Sequence, residues 1–250
     1  MTVYIGASTK MYLGYAQTVA WLDGIAAELD ARPGLAGVVP FVIPSFPLLP
    51  AALDRLASRG VLIGAQAVSW GDGALTGEVS AALLAEMGVS LVEIGHAERR
   101  RHFGETDEVI ARKVEAADAA GLRSLLCIGE PERTDPDEAV AFCLAQVRSA
   151  IRADAGKLAS LIVAYEPIWA IGAAEPADPD YVVAVLTGLR SALAALTDSV
   201  PPIVYGGSAG PGLLGRLPAA DGLFLGRFAH DPASFARVLD EASDRVLDPT

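Results

Sequence analysis

The chain has 250 residues, 52% of them hydrophobic, with a formal net charge of −12 at pH 7. That hydrophobic share is ample for a sizeable core, and the length suits one α/β barrel or two smaller domains. The acidic balance argues against a nucleic-acid partner, whose phosphates require clustered Lys and Arg, so any site for an anionic ligand must be local. The N-terminus MTVYIGASTK lacks the basic and apolar regions of a secretory signal. No apolar stretch reaches the roughly 18 residues of a membrane span, so no membrane partner is expected. Cys127 and Cys143 make neither a disulfide framework nor a metal-ligand spacing. The expectation is a cytoplasmic protein with reduced thiols.

From end to end, short apolar runs alternate with amphipathic stretches. Strands are expected at Val3–Ile5, Val38–Ile43, Leu62–Ala65, Leu91–Ile94, Arg123–Ile128, Leu161–Tyr165, Ile203–Tyr205 and Gly222–Leu225. Helices are expected at Ala16–Leu29, Leu48–Ser58, Ser80–Met87, Glu105–Ala120, Pro136–Ala150, Asp178–Leu196, Gly210–Leu217 and Pro232–Leu247. In the helix opened by Asp178-Pro179, Val182, Leu186, Leu189, Leu193 and Leu196 recur at three- and four-residue spacing, giving one buried stripe. Its Asp supplies a cap and its Pro sits in the first turn. The strands are continuously apolar rather than alternating, which implies an all-parallel sheet covered by helices. Eight such units closed on themselves make a single (β/α)8 barrel, an α/β fold of about 250 residues and one domain over 1–250. A doubly wound open sheet is the alternative, but no G-x-G-x-x-G follows the first strand. Glu130–Glu138 and Ala173–Asp180 are expected as loops.

In such a barrel the functional residues gather where strands hand over to loops. Those ends carry Lys10, His96 and Glu166, with Gly206-Gly207-Ser208 and Gly226-Arg227 after the last two strands. Glu166 ends the run Leu161–Tyr165, and Pro167 keeps it out of the α region. Ile168–Ile171 then form a short apolar flap released by Gly172. A carboxylate at a strand tip under such a flap has the parts of a general base whose site closes. The glycine turns would let backbone N–H groups approach an anion. Each residue also has a plain alternative: a surface Glu166, a solvated Lys10, a His96 that only caps the next helix. His102 and His230 are expected at the surface, and Arg99–Arg101 on a solvated or ion-paired helix face. Glu98 with Arg99 could form a buried pair that steadies Lys10 or the loops.

Five segments together resemble the triosephosphate isomerase family along almost the whole chain. They are Gly64–Ser80 (GAQAVSWGDGALTGEVS), Glu93–Glu105 (EIGHAERRRHFGE), Leu125–Glu130 (LLCIGE), Ala164–Gly172 (AYEPIWAIG) and Tyr205–Ser208 (YGGS). The resemblance implies that Glu166 is the base, His96 a neutral electrophile and Lys10 the cation that binds substrate. It assigns the phosphate to backbone N–H groups at Gly172, Ser208 and Gly226, with Ile171 and Phe224 covering the carboxylate. The reaction passes through an enediolate and needs neither metal nor cofactor. The loop Trp70–Thr76 resembles one that inserts into a partner subunit, which implies a homodimer.

Departures from the family pattern bear on the substrate. The signature N-W-K-M-N is here Ser8-Thr9-Lys10-Met11-Tyr12, Ala97 stands for a serine, and Ala67 for an asparagine. Ala173-Ala174-Glu175 replaces T-G-K after the flap, Arg227 replaces a glycine of the phosphate turn, and Phe224 replaces a leucine. Ser8 and Ala97 are expected to remove bulk near the reacting carbons, while Arg227 could pair with the phosphate. These changes suit a substrate one hydroxymethyl longer than a triose phosphate, such as L-erythrulose 1-phosphate converted to D-erythrulose 4-phosphate. The alternatives are the ordinary triose reaction and a non-catalytic barrel that binds a phosphorylated metabolite.

Overall fold

A computed structural model describes residues 1–173 and 176–248. Eight parallel strands close into one barrel: β1 (Val3–Ser8), β2 (Val38–Ile43), β3 (Leu62–Ala65), β4 (Leu91–Ile94), β5 (Arg123–Ile128), β6 (Leu161–Tyr165), β7 (Ile203–Tyr205) and β8 (Gly222–Leu225). β1 pairs with β8 from Tyr4↔Gly222 to Ala7↔Leu225, which leaves no free edge. Every strand after β1 lies where the hydrophobic runs place it. β1 itself extends three residues beyond the expected Ile5, and Ser8 is its last residue.

Side chains alternate across each strand and sort into two cores. Outward-facing residues such as Ile5, Val42, Val92, Leu126 and Val163 pack under the helices. Inward-facing Phe41, Ile43, Leu91, Leu125, Ile162, Ala164, Val204 and Phe224 fill the barrel. Both faces are therefore buried, and this is why the strands read as unbroken apolar runs.

The helices are α1 (Tyr15–Asp30), α2 (Leu49–Leu56), α3 (Ala81–Glu86), α4 (Ala97–Phe103), α5 (Asp107–Ala119), α6 (Pro136–Ala150), α7 (Pro179–Ala194) and α8 (Pro232–Leu247). Three of them begin with Asp-Pro. Asp135, Asp178 and Asp231 accept N–H groups of the first turn, and the proline that follows lacks the donor a first turn leaves unused. Val182, Leu186, Leu189 and Leu193 bury the α7 stripe, while Leu196 lies past the helix end.

Two expectations change. The stretch 210–217 contains only a single 3-10 turn, Leu214–Arg216, instead of a helix. Gly212 adopts φ +86°, and its N–H donates to Glu241 Oε1 at 2.6 Å, so the backbone leaves helical geometry there. The expected helix Glu105–Ala120 is preceded by a separate one, α4, which ends at Gly104 with φ +67°. Thr106 then caps α5, and Glu105 becomes a junction residue whose buried carboxylate binds Arg99 and Lys113. No helix of the described residues is long and apolar enough to cross a membrane.

Candidate active site

The C-terminal ends of the strands surround a cavity of about 220 Å³. Lys10, His96 and Glu166 line it together with Ser8, Ile171, Gly172, Ser208, Phe224, Gly226 and Arg227. Residues separated by more than 150 positions in sequence thus meet because eight strand ends share one mouth.

Lys10 follows β1 in the left-handed region at φ +47°. A non-glycine residue held there is strained and persists only where its surroundings fix it. Two donors do so: Gln66 Nε2 at 2.7 Å and Ser45 Oγ at 2.9 Å, both onto the Lys10 carbonyl. The ammonium group pairs with Glu98 Oε1 at 2.6 Å. Burial pulls the Lys10 pKa down, but the Glu98 bond and the nearby carboxylates of Glu98, Glu166 and Glu93 outweigh it, and the net shift is upward. Lys10 is therefore a fixed cation at any physiological pH.

His96 forms the N-cap of α4, and its Nδ1 accepts the Glu98 backbone N–H at 3.1 Å. A nitrogen that accepts cannot carry the proton, so the neutral ring presents its N–H at Nε2. Burial and then the Lys10 charge lower its pKa to about 4, which keeps the ring neutral. Nε2 lies 3.7 Å from Glu166 Oε2. Capping the helix and presenting an uncharged donor are thus one arrangement.

Glu166 sits just beyond β6, only 5% exposed. Its Oε2 has no hydrogen-bond partner among the described residues. Desolvation, followed by the charge of Glu93, pushes its pKa up to about 8, against the pull of Lys10. Gly206 must be glycine here, because a Cβ at that position would lie 2.6 Å from Glu166 Cγ. Behind the carboxylate is a small niche lined by Gly95, Ala97, Cys127, Ile128 and Ile168. Ala97 faces this niche and does not line the main cavity, and it offers no hydroxyl to Glu166 Oε2.

The phosphate-type turns face the same cavity. Ser208 Oγ lies 2.8 Å from the Ala173 carbonyl and 3.2 Å from that of Ala170, so it ties the flap to the turn after β7. Tyr205 Oη accepts the Ala177 N–H at 3.2 Å and ties down the flap's far end. Gly172 adopts φ +75°, a conformation that favours glycine. The expected departure at Ala174-Glu175 lies outside the described residues. Arg227 is exposed at the rim, and Phe224 stacks on Phe41 at 5.8 Å beneath it. Glu98 pairs with Lys10, whereas Arg99 turns away to Glu105.

Other residues of the site were not singled out from sequence. Tyr12 and Phe228 line the mouth. His230, expected at the surface, is half-buried with its ring 5.6 Å from Tyr12. Glu130 collects Trp169 Nε1 at 2.8 Å and the hydroxyls of Tyr165 and Tyr181 at 3.1 Å each, anchoring the start of the flap. Glu93, in the middle of β4, accepts from Ser8 Oγ at 3.0 Å. A lone carboxylate in the apolar strand LVEI was the available signal for it. Among the described residues, no group of three or more His, Cys, Asp or Glu gathers as a metal site would.

The chain is similar to known proteins along nearly its whole length. A solved structure of triosephosphate isomerase from Bartonella henselae superposes with a TM-score of 0.82 and 27% identity, covering 96% of this chain and 98% of that one. An L-erythrulose-1-phosphate isomerase from Pectobacterium atrosepticum is 48% identical, covering 95% of both chains. Another protein of that name, from Mesorhizobium japonicum, is 39% identical over 97% of this chain and 98% of its own. The model of the triosephosphate isomerase family matches residues 3–242. The chain therefore belongs to the triosephosphate isomerase family.

Proposed function

We propose that this chain is a cofactor-independent isomerase that interconverts L-erythrulose 1-phosphate and D-erythrulose 4-phosphate. The observation that carries the reaction class is the meeting of three groups in one cavity: a buried carboxylate with one oxygen unpartnered, an uncharged imidazole N–H and a fixed ammonium. The Glu166 carboxylate takes the proton from C3 of the substrate. The electron pair forms the C2–C3 double bond, and the charge that develops on O2 meets Lys10 and His96 Nε2–H. Return of the carbon proton to C2, with the hydroxyl proton passing from O3 to O2, moves the carbonyl one carbon along. Backbone N–H groups of Gly172, Ser208 and Gly226 hold the phosphate, and Arg227 at the rim adds a cation. Ile171 and Phe224 exclude water from the carboxylate as the flap shuts.

Substrate length rests on Ser8, a short side chain at the cavity floor, and on the similarity to proteins named L-erythrulose-1-phosphate isomerase. The test compares kcat/KM on L-erythrulose 1-phosphate with that on glyceraldehyde 3-phosphate. The four-carbon substrate is expected to give the higher value. A higher value on the triose would make the chain an ordinary triosephosphate isomerase, the reading that its structural neighbour favours.

The same reading includes a cytoplasmic homodimer. Met11, 90% exposed beside Lys10, is an apolar side chain that a partner would cover. The loop Trp70–Thr76 stands largely out from the barrel, with Trp70 under the Arg112 guanidinium at 3.9 Å. Sedimentation equilibrium is expected to give twice the 25.9 kDa chain mass.

A further inference from the structure

We infer that Glu93, through the hydroxyl of Ser8, forms a subsite on the cavity floor that accepts a hydroxyl of the ligand and sets the preference for a four-carbon over a three-carbon phosphosugar. This deepens the substrate reading above and rests on it. Ser8 lines the cavity, whereas Glu93 lies beneath it and touches Ser8 alone by a side-chain hydrogen bond among the described residues. Glu93 is thus a positioning residue.

Three observations lead there. First, Glu93 is out of place as a packing residue. Strand alternation directs it into the barrel with Leu91, among Phe41, Ile43, Leu125 and Phe224, and it is 5% exposed. Burying a carboxyl among such neighbours with one neutral partner is costly, and an apolar residue would pack there at lower cost. Desolvation holds its pKa up near 7 in consequence. Second, the cations nearby are paired elsewhere, since Lys10 Nζ bonds Glu98 and Arg99 Nε bonds Glu105, each at 2.6 Å. Glu93 feels the Lys10 charge but makes no hydrogen bond or ion pair with it.

Third, the ionised carboxylate defines the polarity of the pair. A serine hydroxyl has one donor and two acceptor positions. Glu93 Oε2 takes the donor at 3.0 Å. With Glu93 ionised, as it is above about pH 7, what Ser8 Oγ offers to the cavity is therefore acceptor capacity alone. Such a group binds a ligand hydroxyl and gains nothing from a carbonyl or phosphate oxygen. The phosphate turns at Gly172, Ser208 and Gly226 belong to β6, β7 and β8, and the reacting groups stand at β1, β4 and β6. A substrate held by its phosphate and aligned on Glu166 would extend its far end to the floor that Ser8 and Glu93 make. In the four-carbon ketose that end is a hydroxymethyl group, which the three-carbon substrate lacks at that depth.

The test uses the full-length enzyme and the variants Ser8→Ala, Glu93→Leu and Glu93→Gln. Steady-state kinetics and calorimetric affinities are measured with L-erythrulose 1-phosphate and with dihydroxyacetone phosphate. Ser8→Ala and Glu93→Leu are expected to weaken the four-carbon ligand about tenfold more than the three-carbon one, the size of one hydrogen bond to a neutral group. The loss should fall mainly on KM, because the contact is made in ground state and transition state alike. Glu93→Gln should restore most of the discrimination, since its amide oxygen still accepts from Ser8. Equal loss on both ligands, or a Glu93→Gln variant no better than Glu93→Leu, would overturn the subsite. If Glu93→Leu does not fold, Ser8→Ala carries the comparison alone. Should the wild-type enzyme bind L-erythrulose 1-phosphate but not isomerise it, the substrate reading falls, while the subsite is still decided by the variants' affinities.

Discussion

At the scale of single residues, function depends on charge states that burial sets. Glu166 must be ionised to take a proton, and its pKa is pushed up to about 8. His96, lowered to about 4, stays neutral and Lys10, raised, stays charged across the working range. The acid limb of the kcat/KM profile of the free enzyme is therefore expected to belong to Glu166, with activity rising as pH increases through about 8. Glu166→Gln should lower kcat roughly a hundred- to ten-thousand-fold while substrate still binds. An unchanged kcat in that variant would reassign the base. The strand-end positions of these three residues were legible from the pattern of apolar runs and from the family resemblance. The resemblance also implied a neutral His96, but the cause of these protonation states was not legible, because it is burial first and then Glu98, Glu93 and Lys10 brought alongside by folding.

At the scale of elements, the chain is well signposted where local chemistry decides. Asp-Pro starts, glycines at positive φ and apolar runs fix where α6, α7, α8 and the strands begin. Local signals fail at 210–217, where a tertiary bond from Gly212 to Glu241 competes with the helix. They also miss the flap anchor. Glu130 Oε1 receives Tyr165, Trp169 and Tyr181, which lie 35, 39 and 51 residues away. The guanidinium of Arg133 covers the Trp169 and Tyr181 rings at 5.8 and 5.3 Å. Glu130→Leu would strand three donors at once. It is expected to destabilise the protein by about 3 kcal/mol or more, seen as a lower urea midpoint. A drop in kcat should accompany it, since the start of the flap loses its anchor. An unchanged midpoint would mean that these donors find other partners.

For the whole molecule, two carboxyl groups in and beside the barrel interior shape the pH dependence of stability. Glu93 and Glu166 hold their protons more tightly folded than unfolded, with pKa values raised from 4.5 to about 7 and about 8. The folded state therefore binds more protons in that window, and stability falls as pH rises through it. Below 4.5 the sign reverses, because Asp231 and Glu98 have lowered values and lose their stabilising partners on protonation. Melting temperature should accordingly be higher near pH 5 than near pH 8. Glu93→Gln should flatten the difference and raise the melting temperature at pH 8 by a few degrees. A wild-type profile that climbs steadily from pH 5 to pH 8 would contradict this.

The sequence alone determined the barrel and every strand end but that of β1, because strands buried on both faces must be written as unbroken apolar runs and because turns and caps are local. It also placed Lys10, His96 and Glu166 at matching positions along three different strands. Tertiary structure alone decided which groups touch: Ser8 with Glu93, Lys10 with Glu98, and Glu130 with three aromatic donors. Such contacts arise only when the sheet closes and the strand ends converge, and no periodicity along the chain encodes a distance between residues 85 positions apart.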